Sequence, residues 1–279
     1  MTSASQIKLT QHTPAYWTAT FDNPPINVIG PATIVELDGL IARLESDPSV
    51  RVVVFDSANP EFYLAHYDMF VDKATTMAMK PGRSGLHPWL DVLTRLSRVP
   101  AATIACIRGR ARGAGSEFAL ACDMRFASRE RAMLGQFEVG VGAVPGGGPM
   151  ARLPRLMGRG RALEVLLGAD DFGGELAERY GYVNRSFPDA ELLAFVDAFA
   201  RRLAGFEKAA IIETKRFVDQ ASLPPDSDFP PALQAFYASV ARPETRARSA
   251  ALAAKGLQSM SDTELRLGHH VAAYLGPGN

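Results

Sequence analysis

Three segments of this chain carry residue types that could do chemistry together. The first is Phe62-Tyr63-Leu64-Ala65-His66-Tyr67-Asp68, directly after an apolar run. The second is Ile107-Arg108-Gly109-Arg110-Ala111-Arg112-Gly113-Ala114-Gly115-Ser116-Glu117. The third is Gly135-Gln136-Phe137-Glu138, followed by Val144-Pro145-Gly146-Gly147-Gly148. In the second, Gly113-Ala114-Gly115 lacks large side chains, so a ligand can reach the backbone. The bend opens a helix, where free N–H groups and the helix dipole favour negative charge. Glu117 lies one turn into that helix, among Phe118, Ala119, Leu120 and Ala121. A carboxylate there is favoured by the dipole but costly to desolvate. Two readings stand: a buried functional carboxylate, or a surface glutamate steadying the first turn.

Other sites are absent. There is no Gly-x-x-x-x-Gly-Lys phosphate loop. Gly140-Val-Gly142-Ala-Val-Pro145 misses the third glycine of a dinucleotide fingerprint. Ser116 is not in a Gly-x-Ser-x-Gly elbow.

The elements that must position these residues follow from periodicity. Ile7–Thr10 and Tyr16–Phe21 read as strands of a hairpin. Pro31 opens a helix whose Ile34, Leu37, Ile41 and Leu44 share one face. Arg51–Phe55 and Ala102–Ile107 read as strands covered on both sides. Between them, Met69–Leu86 reads as a partly helical loop and Trp89–Leu96 as a helix. Gly109–Gly115 reads as a bend, Ser116–Ala121 as a short buried helix, Met124–Ala127 as a strand, and Gly140–Pro149 as loop. This alternation predicts an α/β fold with parallel strands. From Arg159 onward the pattern is helical: 159–167, 175–180, 190–202, 208–220, 231–241, 244–257 and 262–275. Two units are expected, a core over 1–187 and a helical C-terminal region over 188–279.

At 279 residues the chain can bury a sizeable core, and 47% hydrophobic with 22% charged residues excludes a disordered or fibrous protein. Lys+Arg and Asp+Glu are 30 each, so the net charge of zero counts against nucleic acid as a partner. Cys106 and Cys122 are too few for a disulfide framework and read as small buried residues. The five histidines show no metal-ligand spacing with them, so no metal is expected. The first ten residues carry no apolar signal core, and no run approaches a membrane span. A cytoplasmic location and no membrane partner are the expectations.

The ordered motifs resemble those of the crotonase superfamily, the enoyl-CoA hydratases and isomerases. Arg108-Gly109-Arg110-Ala111-Arg112-Gly113-Ala114-Gly115-Ser116-Glu117 is similar to the family's Asn/Arg-Gly-x-Ala-x-Gly-Gly-Gly-x-Glu, and Cys122-Asp123-Met124-Arg125 follows as in the family. The resemblance runs from about Ile7 to Pro188. It implies a ββα spiral core with a helical trimerisation region, and a homotrimer or a hexamer. It implies an oxyanion hole from the backbone N–H groups of Tyr67 and Ala114, and catalytic carboxylates at Glu117 and Glu138. Asn27, Ala65, His66, Asp68, Gly113 and Gly146 become candidate substrate contacts. No cofactor is implied, because coenzyme A is part of the substrate.

The activity implied is reversible hydration of a 2-enoyl-CoA through an enolate, with Glu117 activating water and Glu138 moving a proton at Cα. The alternatives are double-bond isomerisation or thioester hydrolysis on the same fold. A non-catalytic acyl-CoA or RNA-binding protein has only the arginine clusters in its favour. The departures from the family pattern lie at His66-Tyr67, where Gly-Ala is usual, at Phe70 in place of a lysine, and at Ala114 in place of a glycine. Lys73 is the candidate substitute for that lysine. Ala114 is harmless only if its φ is negative. His66 is either a further acid/base group or a pocket-shaping, structurally bonded residue. Arg108, Arg110 and Arg112 read as phosphate contacts or as subunit and solvent contacts. Arg152, Arg155, Arg159 and Arg161 read as a solvated or interface face. Phe195, Phe199 and Phe206 read as helix core, and Phe217, Phe236 and Tyr237 as covers for a neighbouring subunit's pocket.

Overall fold

The computed structural model describes residues 5–273. The Lys73 side chain and Leu275, the expected end of the last helix, lie outside the described residues.

Ten strands and thirteen α-helices are described. The strands are β1 (Ile7–Thr13), β2 (Tyr16–Phe21), β3 (Val52–Ser57), β4 (Phe62–Leu64), β5 (Ala102–Ile107), β6 (Arg110–Arg112), β7 (Met124–Ser128), β8 (Met133–Gly135), β9 (Phe172–Gly173) and β10 (Arg185–Phe187). The helices of the first half are α1 (Pro31–Ser46), α2 (Lys73–Met77), α3 (Pro88–Leu96), α4 (Ala114–Ala121) and α5 (Pro149–Met157). Then come α6 (Arg159–Gly168), α7 (Gly174–Tyr180), α8 (Asp189–Ala204) and α9 (Lys208–Ser222). The last are α10 (Phe229–Val240), α11 (Pro243–Ala254), α12 (Asp262–Leu265) and α13 (Leu267–Ala272).

A six-stranded sheet has the order β1-β2-β3-β5-β7-β10, parallel except for the β1–β2 hairpin. A smaller sheet, β4-β6-β8-β9, stands beside it. Three times a strand of the large sheet is followed by one of the small sheet. The β3–β4, β5–β6 and β7–β8 pairs step along both sheets together, which is a spiral of ββ steps with helices between them.

The apolar strands read as buried on both faces, and they are. In β3, Val53 and Phe55 enter the main core with α1, α3 and α4, while Val52 and Val54 face Leu192, Val196 and Ala200 of α8. In α1, Ile34, Leu37, Leu40, Ile41 and Leu44 fill one buried stripe. Each such side chain contributes about 1.5–3 kcal/mol by leaving water.

Three expectations are corrected. The second half is not all helical: β10 pairs with β7 in the large sheet and β9 with β8 in the small one. The expected bend over 109–115 contains β6, which pairs with both β4 and β8. Phe206 is 43% exposed and is not helix core. Phe195 and Phe199 do pack, edge-on to Phe126.

Candidate active site

The Glu117 carboxylate is buried and held from two sides. Trp89 Nε1–H on α3 donates to Oε2 at 2.9 Å, and the Gly147 backbone N–H donates to Oε1 at 2.7 Å. The surface-glutamate reading is therefore excluded. The carboxylate has replaced water by one indole, one amide and the α4 dipole. Burial pushes its pKa up, and Trp89, Gly147 and the nearby Arg152 guanidinium offset only part of that shift.

Glu138 begins a short 3-10 turn, Glu138–Val141, and is also buried. Its Oε2 has no hydrogen-bond partner among the described residues. Burial first, and then the Glu117 charge, pushes it up to about 8. The two carboxyls therefore titrate as a pair, and the first proton belongs on Glu138.

Two glycines make room for this pair. A Cβ on Gly113 would stand 2.7 Å from Glu138 Oε1, and Gly113 sits at φ +48, where side chains are strained. A Cβ on Gly147 would stand 1.9 Å from Glu117 Oε2. Gly113 is the N-cap of α4, so Ala114 is the first helical residue and its N–H has no intrahelical acceptor. Ala114 is not among the residues with positive φ, so the alanine fits in place of the family's glycine.

Tyr67 supplies the second candidate donor. Residues Ile29 and Tyr67 form a parallel bridge in which Ile29 N–H donates to His66 O and Asp68 N–H donates to Ile29 O, both at 2.8 Å. In a trans peptide, N–H and C=O point oppositely, so the Tyr67 N–H is directed away from Ile29. Neither this N–H nor that of Ala114 donates to an acceptor among the described residues.

The other candidates divide. Ala65 is buried in the backbone of the same segment, accepting from Arg112 N–H. The Asn27 side chain is taken up by protein: its Nδ2 donates to Ser57 Oγ and Tyr63 O, and its Oδ1 accepts from Asn23 N–H. Asp68 Oδ1 accepts from Phe70 N–H and Gln258 Nε2–H. Gly146 faces Phe236 of α10, where a Cβ would stand 3.0 Å from the ring. Phe236 thus packs on the Gly146 loop of this chain, and the Tyr237 hydroxyl lies 3.1 Å from His87 Nε2. His66 is buried against Glu264, with Nε2 3.3 Å from the carboxylate. Burial pushes the Glu264 carboxyl up, but His66, the Gln258 N–H and Arg112 outweigh it and hold it low.

Three of the arginines form ion pairs within the chain. Arg108 pairs with Asp189 and Arg110 with Glu61. Arg112 forks onto Asp171 at 2.6 and 2.7 Å. Arg152 is a correction: it is buried, not on a solvated face, donating to Ser97 Oγ and Leu93 O of α3. Burial lowers its pKa to about 10. Sequence reasoning misses Trp89, Gly147, Arg152, Gln258 and Glu264. Ser261-Asp262-Thr263-Glu264 carries a helix-start signature, but the glutamate turns inward to His66 rather than back onto its own cap.

Comparison with known proteins gives the family. The enoyl-CoA hydratase/isomerase family model matches residues 15–249. A short-chain-enoyl-CoA hydratase of Clostridium acetobutylicum is 30% identical over 195 residues, 70% of this chain and 74% of that one. A crotonyl-CoA hydratase of Syntrophomonas wolfei is 31% identical over 188 residues, 67% and 70% of the two chains. A Streptomyces avermitilis protein provisionally named an enoyl-CoA hydratase is 45% identical, with a TM-score of 0.93 over 97% of both chains. With its spiral of ββ steps and its paired buried carboxyls, the chain belongs to the enoyl-CoA hydratase/isomerase family of enzymes.

Proposed function

We propose that this enzyme adds water reversibly to a 2-enoyl-CoA thioester, with coenzyme A as part of the substrate and the chemistry supplied by its own residues. The observation that carries this reading is the pair of buried, mutually repelling carboxyls beside two unused backbone donors. Isomerisation or thioester hydrolysis can be run with one carboxyl; the addition of water needs a base for the water and an acid for Cα.

Attack at Cβ moves negative charge onto the thioester oxygen. The N–H groups of Tyr67 and Ala114 stabilise that enolate where it forms, an effect of several kcal/mol for such preorganised donors. Glu117, with two hydrogen bonds to its charged form and Arg152 nearby, is the carboxyl better kept ionised and takes a proton from water. Glu138, pushed up to about 8, holds its proton at neutrality and delivers it to Cα. The water proton replaces it through the paired carboxyls, so both glutamates return to their starting states.

The test is mass spectrometry of crotonyl-CoA incubated with the protein in heavy-oxygen water. Heavy oxygen should enter a 3-hydroxyacyl-CoA, and neither Glu117→Gln nor Glu138→Gln should incorporate it at an appreciable rate. Unchanged crotonyl-CoA with the wild type overturns the reading.

A further inference from the structure

The segment that presents the Tyr67 N–H is gripped from the far end of the chain. His66 and Glu264, 198 residues apart, are 1% and 0% exposed. His66 Nδ1 lies 2.7 Å from Tyr67 O, an acceptor only, so Nδ1 carries a hydrogen and donates it. Its Nε2 faces Glu264, 3.3 Å from each carboxylate oxygen. With Nδ1 engaged in this way, the Nε2 edge of the ring is the one that meets the Glu264 carboxylate.

The same loop takes hold twice more. Gln258, at φ +62, spends both ends of its amide on the segment. Its Nε2–H donates to Asp68 Oδ1 at 2.8 Å, and its Oε1 accepts from the Met69 N–H. Gln258 N–H in turn donates to Glu264 Oε2 at 2.9 Å. Arg112 ties the loop down from the other side, donating to Glu264 O at 2.7 Å. The peptides on both sides of Tyr67 are thereby fixed. Residue 66 accepts from Ile29, and the 67–68 peptide accepts from His66 and donates to Ile29.

We propose that Glu264 is a positioning residue for the oxyanion donor: through His66 and Gln258 it locks the 65–69 backbone so that the Tyr67 N–H stays aimed at the thioester oxygen. This rests on the hydration reading for what the donor serves, but not for the lock itself. His66 is then neither acid nor base toward substrate. Its ring links the C-terminal loop to the Tyr67 carbonyl, which no side chain does where a glycine stands.

Two variants of similar size separate hydrogen bonding from packing. Glu264→Met fills the space but cannot bond His66 or Gln258. Glu264→Gln can donate its amide N–H to a neutral His66 Nε2 and still accept from Gln258 N–H. For Glu264→Met, hydrogen exchange of the 64–70 amides should quicken about tenfold or more, with α4 unchanged. Its kcat on crotonyl-CoA should fall about 10- to 100-fold with KM within about threefold, the signature of a donor used in the transition state. Glu264→Gln should recover most of both. Unchanged exchange at 64–70 overturns the proposal. So does loosened exchange with intact kcat, a loss confined to KM, or a Gln variant no better than Met. Should Glu264→Met fail to fold, His66→Leu/Glu264→Met, which removes both buried polar groups, takes its place. If the wild type hydrates no enoyl-CoA, the functional reading fails and the exchange data alone decide the lock.

Discussion

The indole of Trp89 donates to the carboxylate of Glu117 at 2.9 Å, and both side chains are buried. This contact ties the first turn of α3 to the first turn of α4. It also stabilises the charged form of a carboxyl whose burial opposes charge. Trp89→Phe keeps most of the packing and removes the donor. The Glu117 pKa then moves further up, so a larger share of the base is protonated. The acidic limb of the kcat/KM profile should shift to higher pH, with the loss of activity growing toward the acid side. A limb unmoved by this substitution would remove Glu117 as the ionised base.

Glu138 gives the opposite limb. Pushed up to about 8, it keeps its proton at neutrality and loses it above that, so kcat/KM should fall as pH rises past about 8. Glu138→Gln should cost about 10²- to 10⁴-fold, and its residual activity should lack that basic limb. Combined with Glu117→Gln the loss should be far from multiplicative, because the two act as a unit.

The same shift predicts a gain in stability. The Glu138 pKa is higher folded than its ordinary 4.5, so the native state binds the extra proton. That contribution is complete below about 4.5 and is lost as pH rises toward 8. Glu138→Gln never ionises and escapes the loss. Its Tm should match wild type near pH 4.5 and exceed it by a few degrees at pH 8.5, as followed by thermal melts.

Two glycine-to-alanine changes should fail in different ways. At Gly147 the atoms nearest the new Cβ all belong to the Glu117 carboxylate, with Oε2 at 1.9 Å, so the carboxylate must move. Activity should drop at least about 100-fold while the melting curve shifts little. At Gly115 the Cβ meets the Leu64 backbone, 2.0 Å from its carbonyl oxygen, which cannot step aside. There the fold should lose roughly 2–4 kcal/mol, seen as a shifted denaturant midpoint.

What could be read from the sequence was local. The strands β2, β3, β5 and β7 announce themselves because both their faces are buried, and α1 because its buried stripe repeats at helical spacing. Glu117 stands out as a carboxylate among Phe118, Ala119 and Leu120. What could not be read was pairing at a distance. Arg110-Ala111-Arg112 looks like a polar bend, yet it is a strand, because Asp171 and Glu61 neutralise its guanidiniums from elsewhere in the chain. Arg152 looks solvated, yet Ser97 and Leu93 satisfy part of it inside α3's packing. Its α5 follows a glycine-rich loop and carries Pro154 in its interior, which masks the helix that Pro149 opens and Gly158 closes. Trp89 and Gly147 show nothing in sequence of the carboxylate they share.

The lock between His66 and Glu264 also has an order of manufacture. The 198 residues separating the two take about 10–40 s to synthesise at usual elongation rates. Glu117 and Glu138 are both added in the first half of that interval, while the loop that fastens the 65–69 backbone is made only at its end. The nascent chain therefore acquires its carboxyls first and the anchor of the 65–69 backbone almost last, so a chain truncated before residue 256 would carry both glutamates and still lack Gln258 and Glu264.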